Sequence, residues 1–241
     1  IWKFAAPELD LLAPDIYLEG SKTYTGICER YGNEHNALFI PESCSQPGGN
    51  YKNMFYALGD YGAIGYAPFG VESILDADGA LKPECQPLAD SFRSVACALP
   101  LLVKYRGTGK VRSVVQEPYE DGFFHQAEKY IVKIDYAPGY SNFIHQASSE
   151  AKQGARGLII EAGPDEFYVL GSGFTAYFAP RDGIFYSEDR VTNHMPYLLV
   201  EEGYFDMDET WVTRRIRTGD ECDHGIWVFP ENGVVHVVLC D

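Results

Sequence analysis

Three apolar runs, each closing on a chemically distinctive residue, recur through the first seventy residues, and their spacing restricts the folds open to the chain. Leu11-Leu12-Ala13-Pro14-Asp15-Ile16-Tyr17, Ala37-Leu38-Phe39-Ile40-Pro41-Glu42 and Gly62-Ala63-Ile64-Gly65-Tyr66-Ala67-Pro68-Phe69 read as buried strands. Continuous rather than alternating apolar character means that both faces of a strand are covered, as in a parallel sheet with helices on each side. Helical patterns fit about Lys22 to Tyr31, Tyr51 to Gly59 and Pro87 to Leu99, the last with a proline in its first turn and another just past its end. The run tips Tyr17, Glu42 and Phe69 lie 25 and 27 residues apart. A (β/α)8 barrel of about 250 residues uses roughly 30 per unit, so three such units fit. A doubly wound sheet, the competing arrangement, usually carries a glycine-rich phosphate turn after an early strand, and none is present. Ile1 to Pro7 reads as the end of an amphipathic helix, so the chain is expected to begin inside a longer pattern, with about five barrel units before it.

The texture changes after Arg106-Gly107-Thr108-Gly109. Short strand-like runs bounded by Gly, Pro, Asp or Asn follow: Val111 to Gln116, Lys129 to Tyr136, Gly157 to Glu161, Glu166 to Leu170, Gly173 to Phe178, Tyr197 to Glu201, Thr210 to Arg217, Gly225 to Phe229 and Gly233 to Leu239. Such runs at turn spacing imply an antiparallel β-sandwich. Pro230-Glu231-Asn232-Gly233 reads as a hairpin turn, with Asn-Gly at the two positive-φ positions. The expected architecture is therefore the C-terminal portion of a (β/α)8 barrel over residues 1–108, followed by an antiparallel β-sandwich over 109–241.

Composition excludes several classes. Hydrophobic residues at 46% supply a sizeable core and argue against disorder. A net charge of −16 repels phosphate backbones and anionic headgroups, so neither nucleic acid nor a membrane surface is an expected partner. No apolar run is long enough to span a bilayer. Cys28, Cys44, Cys85, Cys97, Cys222 and Cys240 form no CxxC pair, so free thiols are expected, with one or two disulfides as the alternative. The six histidines show no HxH or HxxxH spacing, and no metal or cofactor is called for. Asp206, Asp208 and Glu209 would suit Ca²⁺ as a cluster, but an exposed acidic turn is the simpler reading. Ser43 and Cys44 lack the G-x-S-x-G setting of a hydrolase nucleophile. The compartment stays open, secreted and periplasmic settings both fitting, although the absence of an N-x-S/T sequon weighs against a glycosylated extracellular protein.

Strand C-terminal ends line the active site of an α/β barrel. Glu42 follows an apolar strand, with Pro41 ending the ladder and a Gly/Pro-rich loop beyond, so its position makes it a candidate for chemistry; a solvated loop glutamate is the other reading. The wording around the three tips, Leu-Leu-Ala-Pro-Asp-Ile-Tyr, Leu-Phe-Ile-Pro-Glu-Ser and Gly-Tyr-Ala-Pro-Phe-Gly-Val-Glu-Ser, resembles strands six, seven and eight of family 35 glycoside hydrolases, in the branch with a β-rich C-terminal domain. The likeness covers about residues 1–105 and is looser beyond, mainly at Val169 to Phe174 and Gly203 to Thr213.

This resemblance implies a retaining β-galactosidase acting on terminal β-galactosides, with Glu42 as nucleophile and Tyr17 as a hydrogen-bond donor to it. Phe69 would wall the sugar subsite and Glu72 would bind galactose hydroxyls. Rim packing for Tyr17 and Phe69, and a solvated acid for Glu72, are the alternatives. Asp15 is expected to point into the barrel or pair with a basic neighbour and not to be catalytic, and Glu19 lies in the loop after Tyr17, within reach of the pocket. A retaining enzyme also needs a carboxylic acid about 5–5.5 Å from its nucleophile, in this clan a glutamate following asparagine at the tip of strand four. Asn33-Glu34 precedes the second strand and so lies at the wrong end of the barrel. The acid/base is therefore expected from the N-terminal part of the barrel, in the same precursor or as a separate chain, and residues 1–241 alone are expected to be inactive. The reading from a different class is a non-catalytic carbohydrate-binding or structural sandwich carrying a barrel remnant.

Overall fold

The computed structural model describes residues 2–45, 50–136, 154–181, 197–223 and 225–240. The chain divides into two compact units, Ile1–Ala89 and Asp90–Asp241.

In the first unit, α1 (Trp2–Ala5), β1 (Asp15–Ile16), α2 (Ser21–Tyr31), β2 (Phe39–Ser43), α3 (Asn50–Leu58) and β3 (Gly65–Pro68) alternate along the chain. The strands form one parallel sheet in the order β1-β2-β3. Its core consists of Ile16, Leu38, Ile40 and Ala63 from the strand runs, with Tyr24 and Cys28 from α2 and Ala57 from α3. Tyr24 and Cys28 are four residues apart and therefore share one helix face. The paired part of the first strand is shorter than the apolar run. Proline at position 14 has no N–H to give to a ladder, and the Leu12 backbone is taken by a side chain instead. Leu12 N donates to Asn36 Oδ1 at 2.8 Å, and Asn36 Nδ2 donates to Leu12 O at 2.9 Å and Tyr31 O at 2.7 Å. A buried asparagine thus satisfies the loop backbone that the sheet cannot reach.

The divide between the units falls within α4 (Gln86–Cys97), ahead of the boundary expected near residue 108. The single helix expected over Pro87 to Leu99 breaks at Ala98, and α5 (Leu99–Tyr105) restarts with Pro100 in its first turn. Both helices bond to the second unit's sheet: Arg156 Nε donates to Ser91 Oγ at 2.8 Å and Tyr105 Oη to Ala162 O at 3.1 Å.

The second unit contains β4 (Val111–Val115), β5 (Gly122–Gln126), β6 (Tyr130–Asp135), β7 (Arg156–Gly163), β8 (Glu166–Ser172), β9 (Phe174–Pro180), β10 (Tyr197–Phe205), β11 (Trp211–Ile216), β12 (Ile226–Val228) and β13 (Val234–Leu239). They form a six-stranded sheet, β11-β10-β13-β8-β7-β4, and a four-stranded sheet, β12-β9-β6-β5, with antiparallel pairing throughout. One core joins the two sheets: Ile159, Phe167, Val169, Val235 and Val237 from the first meet Val132, Ile134, Phe174, Phe178 and Ile226 from the second. Between β7 and β8, Gly157 stands opposite Gly171, where a β-carbon on Gly157 would collide with the Leu170 carbonyl and come within 2.8 Å of the Phe174 ring.

Two local expectations change. β5 has no counterpart among the expected runs. It pairs with β6 at the sheet edge and leaves Phe124 exposed, so its residues lack the apolar alternation of a half-buried strand. The Pro230–Asn232 segment is a 3-10 turn rather than a hairpin, and only Gly233 has positive φ, 73°. Its flanking strands do not pair with each other: β12 lies beside β9, and β13 between β10 and β8. The turn carries the chain from one sheet to the other. No disulfide joins any of the six cysteines. No helix among the described residues is long and apolar enough to cross a membrane.

Candidate active site

The C-terminal ends of β1, β2 and β3 carry Tyr17, Glu42 and Phe69. Parallel pairing sets Asp15 level with Glu42, Ile16 with Ser43, and Ser43 with Pro68. The β2–β3 register shifts between Ile40 and Ser43, around Pro41, which has no ladder N–H. Ser43 is fully buried and ties the three ends together. Its Oγ donates to Ile16 O at 3.0 Å and accepts from Tyr66 Oη at 3.0 Å, while Phe69 N donates to Ser43 O at 2.8 Å. Glu42 stands on this pinned backbone.

Tyr17 Oη donates to Glu42 Oε2 at 2.8 Å. Among the described residues no other hydrogen-bond partner reaches Glu42. Desolvation first, then the hydrogen bond to Glu42 and the charges of Glu42, Asp15 and Cys44, push the Tyr17 phenol up to about 12. Tyr17 remains 46% exposed, so the pair is open to a ligand. The structure thus brings Tyr17 and Glu42 together. Phe69 is 63% exposed just past β3 and is linked to the pair through the Ser43 backbone. Glu72 is exposed on the 3-10 turn Val71–Ile74 and makes no hydrogen bond or ion pair with Tyr17 or Glu42 among the described residues.

The neighbouring acids take other places. Asp15 is exposed beside Glu42 on β1, and Asn53 Nδ2 donates to the Glu19 backbone at 3.0 Å, fixing the loop after Tyr17. Glu34 is exposed beside His35 in the connection leading into β2, at the end of that strand away from Glu42. In the second unit, Asp206 Oδ1 accepts from the backbone N–H of Asp208 and of Thr210, both at 2.9 Å, so this carboxylate closes the β10–β11 turn. Among the described residues no group of His, Cys, Asp and Glu is arranged to hold a metal ion. His145, His194 and His224 lie outside the described residues.

Sequence reading gave Ser43 no part beyond excluding it as a nucleophile. Its signal was its place directly after Glu42, where alternation turns the next side chain inward. It also overlooked His236, which lies between two carboxylates: Nδ1 is 2.8 Å from Glu201 Oε1 and Nε2 is 2.9 Å from Glu166 Oε1. The pattern Val-Val-His-Val-Val-Leu held that signal, because alternation separates His236 from Val235 and Val237.

Together these features define a chain with a parallel α/β unit, bearing a tyrosine–glutamate pair at its strand ends, and a two-sheet antiparallel unit. The sequence model of a family described as "Domain of unknown function (DUF5597)" matches residues 88–229, more than half of the chain, and the protein belongs to that family. The match begins beside the structural divide in α4. No curated protein matches the chain.

Proposed function

We propose that the first unit carries the nucleophile side of a retaining glycosidase site of the β-galactosidase type. The carrying observation is the 2.8 Å hydrogen bond from Tyr17 to Glu42 at the ends of adjacent parallel strands. In this reading the unit is the last three βα repeats of a (β/α)8 barrel, where strand ends line the site. Glu42 attacks the anomeric carbon, and the glycosidic C–O bond breaks as a second carboxylic acid protonates the leaving oxygen. Water, deprotonated by that same second group, then releases the sugar from Glu42. The second group comes from an earlier strand of the barrel, outside these three repeats.

The residues contribute in physical terms. Tyr17 holds one carboxylate oxygen in a fixed place, reducing the rotational freedom lost on attack. A donor to the ionised carboxylate also stabilises the charge that returns when the sugar leaves. Phe69 offers an exposed ring to the apolar face of a pyranose. Glu72 would hydrogen-bond sugar hydroxyls from the turn beyond it.

The test is Glu42→Gln in the full-length protein, assayed on an aryl β-galactoside. A fall in kcat of at least about 10³-fold is expected, since the covalent intermediate cannot form. Retained turnover would remove Glu42 from the mechanism. Mass spectrometry after reaction with a 2-fluoro-galactosyl fluoride should place the trapped sugar on the peptide containing Glu42.

A further inference from the structure

The six-stranded sheet turns one face to the core, and its other face carries an aromatic and acidic cluster. Tyr168 on β8 is level with His236 on β13, and His236 is level with Glu201 on β10. The imidazole stacks on the Tyr168 ring with centroids 4.4 Å apart and planes 9° apart. Trp211 meets both rings edge-on, at 5.7 Å from His236 and 5.8 Å from Tyr168, and Phe205 lies 5.2 Å from Trp211. Glu166 Oε1 is engaged by both His236 and Tyr168, whose Oη donates to it at 3.1 Å. These contacts hold the rings and carboxylates in fixed relative positions before any ligand arrives.

A cleft of about 450 Å³ lies beside the cluster, between the sheet and α5. That is a volume suited to a small organic ligand. The sheet contributes Glu166, Tyr168 and Phe205, and α5 contributes Val103, Lys104 and Tyr105. Its chemistry selects among ligand classes. The partly exposed Phe205 ring suits a ligand with an apolar C–H surface, while Tyr168 is buried with His236 stacked on one face. Glu166 and Lys104 supply an acceptor and a donor, which hydroxyl groups can satisfy together. Glu209 adds a second carboxylate to the lining, so an anion would meet more negative than positive charge.

We propose that this cleft binds a neutral saccharide, with a pyranose ring against the partly exposed Phe205 ring and its hydroxyls on Glu166 and Lys104. The site belongs to the second unit alone and does not rest on the assignment of Glu42.

The test is titration of the full chain with β-1,4-galactotetraose and with cellotetraose, followed by calorimetry and tryptophan fluorescence. Saturable binding with Kd near or below ~1 mM is expected for at least one sugar. Phe205→Ala and Glu166→Gln should each weaken it by about tenfold or more. Phe205 is only partly buried, so its truncation should be tolerated. If that variant melts early, Phe205→Leu keeps apolar bulk while removing the flat ring. Absence of saturation up to ~10 mM with both sugars overturns the proposal. So does binding that ignores the Phe205 and Glu166 variants.

Discussion

Tyr17 and Glu42 meet diagonally across neighbouring parallel strands. Glu42 is level with Asp15, and Tyr17 lies two residues further along, on the same side of the strand. The phenol therefore reaches back to the carboxylate rather than sideways. Tyr17→Phe should preserve the fold and remove only this donor. A hydrogen bond to a charged group contributes about 1.5–3 kcal/mol. We expect kcat on an aryl β-galactoside to fall about 10- to 100-fold in the full-length protein. Unchanged turnover would mean that the contact is structural only.

The same pair has a signature at alkaline pH. A phenol raised from 10.0 to about 12 keeps its proton longer when folded than when unfolded. Its contribution to stability is complete below pH 10.0 and is lost as pH rises through about 12. Glu42→Gln should lower the pH at which Tyr17 ionises, leaving the desolvation and the influence of Asp15 and Cys44 in place. Difference absorbance titration against Tyr17→Phe isolates this phenol. A midpoint indifferent to Glu42→Gln would show that the pair does not form in solution.

Acid should act on the second unit through Glu201. Burial pushes this carboxyl up, but hydrogen bonds from Thr213 and His236 outweigh it, and the net shift is downward from 4.5. The corresponding stability is present above pH 4.5 and is lost as pH falls through the lowered value. Thr213→Val removes one of those hydrogen bonds. Its melting temperature should lie below the parent's near neutrality and fall by less than the parent's as pH drops below 4.5, in a series of melts on the acid side of neutrality. Parallel curves for the two proteins would sink the argument.

Gly157→Ala should destabilise the second unit. The added methyl has only the Leu170 carbonyl and the Phe174 ring to enter, and the strands must part to admit it. Overpacking of this kind costs about 1–3 kcal/mol. Urea unfolding should show a lower midpoint with an unchanged slope.

The strand ends were legible because the chemistry there is local. Pro41 both interrupts the ladder and announces Glu42, and the spacing to Tyr17 fits one strand–helix repeat. The same local signals located most strands of the second unit. What escaped depended on partners far away in the chain. β5 is defined by its neighbour β6 and not by its own pattern. Asn-Gly at 232–233 suggested a hairpin, yet each flanking strand finds better partners in a different sheet. The cluster around His236 assembles residues from β8, β10, β11 and β13, and no short window contains it. The expected boundary followed the change of texture at Gly107, whereas α4 and α5 are fixed by Arg156 and Ala162, well beyond it.

The placement of β13 bears on how the second unit is made. β13 comes last of the strands in chain order but lies in the interior of its sheet, between β10 and β8. Until it is in place, the β10–β11 ribbon and the β4–β7–β8 segment have no shared ladder. During synthesis, which runs at about 5–20 residues per second, the earlier strands therefore wait with unpaired edges. The sheet can close only once Val234–Leu239 has left the ribosome, so its assembly waits on a segment translated after both of its halves.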